Sequence, residues 1–386
     1  MKTLLRLRLL RRLAPPFIVP GIAFGTFMLA ACAVRATPEA AAAASAGPAQ
    51  ERLFAHAPRE GAHFGNNDGP LPRASFLKWQ WERLTHGLPP KPANGYRFPV
   101  DHPDIAWIKT NRSADTMTWI GHATALLQID GVNILTDPMF SERASPFSFI
   151  GPKRKVPPGL TLDQLPHIDA VLISHSHYDH LDAPSVAALN RQPGGPPVFL
   201  VPLGVKQWLA SVGIDHAQEF DWGDHTQVGG LDFWFVPAQH WSARTLTDRN
   251  ETLWGGWVVK TPAGAAQPRS VYFAGDTGYS NDFHKIGAAF GCFDLALIPI
   301  GAYAPRWFMR GQHVDPQQAV QIFEEIHAKR AIGIHWGTFE LSDEPIDEPP
   351  RLLDEAARAA RLAPGVFTVL HHGQLIRLDD DKAPHC

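Results

Sequence analysis

Three cysteines in 386 residues are too few to staple a fold of this size, so a disulfide framework is excluded as its main support. The one long apolar run near the start, residues 17–31, has 15 residues and contains Pro20. A helix needs roughly 20 to cross a bilayer, so the run is not a membrane span. The body of the chain lacks a basic tract and a fixed-period repeat, which excludes a nucleic-acid scaffold and a solenoid. Charge of either sign is not in excess: 35 basic against 38 acidic side chains gives −3. Apolar residues, in contrast, are plentiful at 45%, enough for a large core and too many for a disordered chain. With 32 Gly and 35 Pro the chain is loop-rich, which suits an α/β or all-β enzyme better than a helical bundle.

The start of the chain reads as an address. Lys2, Arg6, Arg8, Arg11 and Arg12 carry no acid among them, and the short apolar run that follows completes a secretory signal peptide over residues 1–31. Leu29-Ala30-Ala31-Cys32 resembles the bacterial lipobox, which predicts lipidation of Cys32; cleavage after Ala36 is the alternative. Loss of residues 1–31 removes five positive charges and leaves −8, a sign that opposes binding to nucleic acid or anionic lipid by charge alone. Ala33 after the cysteine favours an outer-membrane lipoprotein facing the periplasm, or else a free periplasmic protein. Residues 32–50 are Ala-rich and form a flexible tether. Residues 51–115, aromatic and Pro-rich, make an N-terminal extension packed on the core, with a helix over 75–84. Cys292 lies in an apolar segment and is expected as a small buried side chain; a disulfide to Cys386 has no support in the sequence.

From Thr116 to residue 378 the pattern is of short apolar strands that end in polar residues. About ten are visible, among them 124–129, 170–173, 231–236, 270–273 and 331–334. Helical stretches fall at 183–189, 316–328 and 351–362, and Asp315-Pro316 reads as an N-cap followed by a first-turn proline. Two packed sheets covered by helices in one α/β domain fit this pattern, with residues 379–386 as a tail.

Just past the strand at 170–173 comes His175-Ser-His177-Tyr-Asp179-His180. Three further candidates, His240, Asp276 and His335, each stand just beyond an apolar strand as well. Strand ends gathered at one edge are where α/β folds build their sites. His175, His177 and His240 would supply one cation with three imidazoles. Asp179, His180 and His335 would hold a second, and Asp276 would bridge both. Nitrogen and carboxylate donors without thiolate suit two zinc ions, while iron or manganese remain open.

This arrangement resembles the metallo-β-lactamase fold superfamily, an αββα sandwich, over residues 116–378. Longer stretches are similar to the N-acylphosphatidylethanolamine-hydrolysing phospholipase D family. They are Pro237-Ala-Gln-His240-Trp-Ser-Ala-Arg244, Phe273-Ala-Gly-Asp276-Thr-Gly-Tyr279, Ile298-Pro-Ile-Gly-Ala-Tyr303, Gln312-His313-Val-Asp315-Pro316 and Ile334-His335-Trp-Gly-Thr-Phe339, with Asp137-Pro-Met-Phe and Gly151-Pro-Lys-Arg154 upstream.

The resemblance implies a zinc-dependent phosphodiesterase that releases N-acylethanolamine and phosphatidic acid by attack of a metal-bound hydroxide at phosphorus. It implies catalytic roles for Asp179, Asp276 and His313, head-group or phosphate contacts for Tyr178 and His313, and an orienting carboxylate at Asp137. Tyr303, Trp307, Phe308 and Met309, interleaved with Arg306 and Arg310, are expected as an amphiphilic landing loop for the phospholipid, and Trp254 and Trp257 as core. The alternatives are a hydrolase of another ester such as a lactone, and a non-catalytic envelope metal-binding lipoprotein.

Overall fold

Most strands in the sequence have no polar face because both faces of each sheet are covered away from its edges. The structure, a computed structural model, describes residues 52–71 and 74–378. The signal peptide, the tether with Cys32, and the tail lie outside them. The described chain begins with a hairpin of β1 (Arg59–Glu60) and β2 (His63–Phe64), followed by helices α1 (Phe76–His86) and α2 (Ile105–Thr110). The first sheet then takes β3 (Thr116–Gly121), β4 (Thr124–Ile129), β5 (Val132–Thr136), β6 (Ala170–Leu172), β7 (Val198–Pro202) and β8 (Gln218–Phe220), with α3 (Ala183–Leu189) and α4 (Val205–Ser211) in its crossovers.

The second sheet takes β9 (His225–Val228), β10 (Leu231–Val236), β11 (Gly256–Lys260), β12 (Ser270–Phe273), β13 (Leu295–Pro299), β14 (Ala331–Ile334) and β15 (Phe367–Thr368). Its helices are α5 (Asp282–Phe290), α6 (Arg306–Met309), α7 (Pro316–Glu325) and α8 (Pro349–Ala359). Finally β16 (Leu375–Arg377) returns to the first sheet beside β3. Both sheets change from antiparallel to parallel partway: the first from β5 to β8, the second from β12 to β15.

Period-two alternation sorts the first sheet's side chains between two cores. Met117, Trp119, Leu127, Ile134, Leu172 and Leu200 join the core between the sheets. Their neighbours Ile120, Leu126, Leu135, Val171 and Phe199 pack instead with Ile108, Val186 and Leu209 of α2, α3 and α4. The second sheet meets α5, α7 and α8 through Phe283, Ile322 and Leu353. The result is the αββα sandwich. Trp254 and Trp257 are fully buried in it, as the sequence indicates. Asp315 caps α7 by accepting from the Gln318 amide at 2.9 Å, ahead of Pro316.

Two sequence expectations change. Cys292 is half-buried and disulfide-bonded, not a free buried thiol. The landing loop is largely interior: Tyr303 is 6% exposed with its hydroxyl 2.5 Å from Glu348, and Met309 is 5% exposed. The apolar groups that reach solvent lie elsewhere, at Leu77, Trp81 and Leu84 of α1 and at Phe147, Phe149 and Ile150. Segment 52–71 contributes Phe54, Ala57 and Phe64 to the core, and Trp79 of α1 stacks on Phe308 with centroids 4.7 Å apart. Among the described residues no helix is long and apolar enough to cross a membrane.

Candidate metal centre

Parallel strands end on one side of each sheet, and the site is built there from both halves of the sandwich. His175 follows β6, His240 follows β10, Asp276 follows β12, His335 follows β14 directly, and Asp137 follows β5 directly. Two of these turns use left-handed backbone at a non-glycine residue, Asp137 (φ 31°) and His335 (φ 62°), as does His122 (φ 55°) between β3 and β4. Such conformations persist where the surroundings impose them, and they gather at functional sites. Gly275, at φ +62°, brings the turn so close to Ser174 that a Cβ there would lie 2.6 Å from the serine Cβ.

The first group is His175, His177 and His240. Nε2 of His175 and Nδ1 of His177 are 2.8 Å apart, and Nε2 of His240 is 3.3 Å from that Nδ1. The tautomers follow from the opposite ring edges. Ser174 Oγ donates to Asp137, so it accepts from His175 Nδ1–H at 2.9 Å. His240 Nδ1–H donates to the Gln312 carbonyl at 2.8 Å. Both Nε2 lone pairs therefore turn into the cluster. Burial pushes His177 down to about 4 and holds His175 and His240 well below the ordinary imidazole range. With the His175 and His240 lone pairs both turned inwards, His177 Nδ1 can satisfy at most one of them by an N–H, and a divalent cation would take all three imidazoles at once.

The second group is Asp179, His180 and His335, with His122 behind it. Asp179 Oδ2 is 3.4 Å from Nε2 of both His180 and His335, and it lies 2.9 Å from His122 Nε2. Asp276 Oδ2 is 3.1 Å from the same two Nε2 atoms and 3.9 Å from Nε2 of His175 and of His240. One carboxylate thus faces both groups, and its Oδ1 has no hydrogen-bond partner. Metal–ligand bonds of about 2.0–2.1 Å at the tetrahedral angle separate neighbouring donor atoms by about 3.3 Å. The spacings here, 3.1 to 3.4 Å, match that edge. The buried His/Asp cluster fits divalent metal: His175, His177 and His240 would supply donors on one side, Asp179, His180 and His335 on the other, and Asp276 faces both.

Asp137 acts on both groups at once. It accepts from His180 Nδ1–H at 2.7 Å and from the Ser174 amide at 2.7 Å, and through the Ser174 hydroxyl it sets His175. Burial raises its carboxyl pKa, against the opposing pull of His180 and Ser174. His122 holds Asp179 from behind. His371 and His372 stay outside the cluster; His372 packs on Trp119 with centroids 4.4 Å apart.

Burial opposes charge on His180 and His335, yet Asp276 and Asp179 overcome it: His335 is pushed up to about 9 and His180 well above its ordinary value. At pH 7 the metal-free pair is therefore protonated, and a cation must displace those protons. Binding should release about one to two protons per chain and tighten as pH rises towards 9. Calorimetric zinc titrations in two buffers of different ionisation enthalpy measure this, and proton uptake would contradict it.

The cluster lies at the floor of a cleft of about 1260 Å³, lined in part by His177, Tyr178, Asp179, Asp276 and His313. His313 Nδ1 is 3.9 Å from Asp276 Oδ2 and has no hydrogen-bond partner; burial pushes its pKa down to about 4. Tyr178 edges the cleft, but its hydroxyl is committed to the Arg244 carbonyl at 2.8 Å and the Arg244 guanidinium lies 4.1 Å over its ring. Arg244 Nη1 in turn holds the metal loop through the carbonyls of Ser176 and Leu181, at 2.7 and 2.9 Å.

The sequence did not mark Asn66. Its side chain donates to the His240 carbonyl at 2.9 Å, and its Oδ1 accepts from the His240 amide and from Trp254 Nε1, each at 3.0 Å. Nor did it mark Phe76 and Trp79 of α1, or Leu341, as cleft walls. Asn66 sits in a turn-rich segment that carries no periodic signal, and only a tertiary contact reveals it.

The model of the β-lactamase superfamily domain matches residues 132–336. An N-acyl-phosphatidylethanolamine-hydrolyzing phospholipase D of Caenorhabditis elegans is 42% identical over 253 residues, covering 61% of this chain and 69% of that protein. An uncharacterised protein of Mycobacterium tuberculosis is 43% identical over 282 residues, 72% of each chain. Among solved structures, a metallo hydrolase of the archaeon Ignicoccus hospitalis superposes with a TM-score of 0.51 at 23% identity, over 69% of this chain and 98% of that one. That likeness shows the fold. With the domain match and the 42% identity, it makes this chain a metal-dependent hydrolase of the metallo-β-lactamase superfamily, a member of its N-acylphosphatidylethanolamine-hydrolysing phospholipase D family.

Proposed function

We propose that the chain is a two-zinc phosphodiesterase that cleaves N-acylphosphatidylethanolamine-type phospholipids into N-acylethanolamine and phosphatidic acid. The observation that carries this reading is the cleft above the metal centre. Its volume of about 1260 Å³ exceeds an ordinary small-molecule pocket, and Leu71, Phe76, Trp79, Phe308, Met309 and Leu341 give it an apolar lining beside the cluster. A reactive centre at the floor of an apolar cleft suits an ester joined to long hydrocarbon chains.

Bound divalent cations supply Lewis-acid charge against phosphoryl oxygens and lower the pKa of water towards neutrality. The chain's own residues do the rest. Asp137, Ser174 and the Gln312 carbonyl fix the imidazole tautomers, so the donors need no reorganisation when charge builds at phosphorus. Asp276 keeps the two groups in register. His313, neutral at pH 7 and unpartnered at Nδ1, offers a hydrogen bond to a phosphoryl oxygen or to the departing alcohol. Phe76 and Trp79 flank the opening, and the solvent-exposed Leu77, Trp81 and Leu84 continue the apolar character of α1 outwards, as a lipid surface requires.

Mass spectrometry of a bacterial lipid extract treated with the purified enzyme tests the reading: N-acylethanolamines and phosphatidic acid should accumulate together. Turnover of an acyl lactone without any phosphodiester cleavage would overturn it. We further propose, from the lipobox alone, that Cys32 is lipidated and holds the enzyme at the outer membrane's periplasmic face. Recovery of Cys32→Ala in the soluble fraction, with the wild type in the membrane fraction, is the expected result; a wholly soluble wild type would refute the anchor.

A further inference from the structure

The lining of the cleft has two chemistries, and the lipid reading uses only one. Much of the apolar part comes from Leu71, α1, residues 302–309 and Leu341; a second, polar part comes from the β1–β2 hairpin and residues 241–250. Within this second part are two guanidinium groups, each laid on an aromatic ring. Arg249 lies 4.2 Å over the ring of Trp241, and Arg59 lies 4.0 Å over that of Phe64. Neither is paired with a carboxylate among the described residues.

Their loops are fastened together: the Phe64 amide donates to the Asn250 carbonyl at 2.8 Å, Asn250 Nδ2 donates to the Phe64 carbonyl at 3.2 Å, and His63 Nδ1 is 2.9 Å from the Arg249 carbonyl. Trp241 links the pair to the centre, because its ring is 4.4 Å from that of His177. The indole Nε1–H of Trp241 has no acceptor. Glu60, the other acid in this lining apart from Asp179 and Asp276, alternates with Arg59 in the two-residue strand and makes no ion pair with either guanidinium among the described residues.

We infer that Arg249 and Arg59 form an anion subsite beside the metal centre, and that it receives a carboxylate borne by the head group of the phospholipid. Cations held flat on aromatic rings are pre-organised, and a planar guanidinium matches a carboxylate in a two-point contact. The scissile phosphodiester belongs at the cluster, so a second anion is needed to occupy these donors. N-acylated phosphatidylserine has that composition: it is the proposed substrate with one carboxylate more. The inference rests on the phospholipase reading above and names the substrate class within it.

The test compares N-acylphosphatidylserine with N-acylphosphatidylethanolamine of identical chains in uncharged detergent micelles. For the wild type, kcat/KM should favour the serine lipid by about tenfold, the order expected of one charge-assisted contact. In the Arg59→Gln, Arg249→Gln double variant that ratio should fall to about one, through KM, while Arg249→Lys alone, which keeps the charge, keeps part of the preference. A wild-type ratio of one or below, or a ratio unchanged in the double variant, overturns the subsite.

If neither lipid is cleaved, the phospholipase reading fails, and the subsite is then decided by competition against bis(p-nitrophenyl) phosphate. Stronger inhibition by N-acylserine than by N-acylethanolamine, lost in the double variant, supports it. Equal inhibition by the two overturns it.

Discussion

Asp276→Asn should lower kcat by at least about 10³-fold, roughly 4 kcal/mol of transition-state stabilisation. Among the described residues, with Asp137 acting on their outer edges, Asp276 is the carboxylate that faces the inward nitrogens of both donor groups. Its Oδ2 lies 3.1 Å from His180 and His335 and 3.9 Å from His175, His240 and His313. An amide of the same shape turns one acceptor edge into a donor that points at imidazole nitrogens, and it removes the charge that two cations would share. The substitution should therefore cost metal as well as rate. Elemental analysis alongside turnover of bis(p-nitrophenyl) phosphate separates the two losses. A variant with full metal content and near wild-type kcat would remove Asp276 from the bridging position. The control is Asp232→Asn, a residue on β10 whose carboxylate pairs with Gln227 outside the cleft, and it should change neither quantity.

Much of this site was legible in the sequence because its donors are local. Six positions from His175 to His180 hold four of the seven candidate ligands, and each later one follows an apolar strand that could be read by itself. What surrounds the donors was less visible. Asn66 and Trp79 reach the site from the N-terminal extension, across contacts that no periodicity encodes. The landing loop was misread at Tyr303 for a related reason. Aromatic residues between arginines look amphiphilic in a row, but the hydroxyl of Tyr303 finds Glu348 and Arg306 pairs with Asp315 at 3.1 Å, so the loop folds inwards. In the fold, most of the long apolar strands were found, with β3 the exception, and the short polar ones were not. Strands β8 (Gln-Glu-Phe) and β9 (His-Thr-Gln-Val) lie at sheet edges, where one side is solvated and the alternation fades. Helix α7 ends at Glu325, short of the expected 328, because His327 turns left-handed at φ 56°.

Removal of metal should abolish turnover and lower the melting temperature by about 10 °C or more, since a ligand bound only by the native state stabilises it by mass action. The charge distribution argues for an effect of that size. His180, Asp276 and His335 are almost wholly buried, and Nε2 of His180, Nε2 of His335 and Oδ1 of Asp276 have no hydrogen-bond partner. Without cations, the site must keep Asp179 and Asp276 ionised beside protonated His180 and His335, a set of buried charges held by one another and by His122 and Asp137. With two cations, the same carboxylates gain partners of higher charge and the imidazoles become neutral donors. Scanning calorimetry before and after chelation reads the stability, and titration of zinc into the stripped protein reads the stoichiometry. Activity should return in proportion to metal and level off at two ions per chain. Full recovery at one ion would leave either His175, His177 and His240 or Asp179, His180 and His335 as a structural cluster, and the bridging role of Asp276 would go with it.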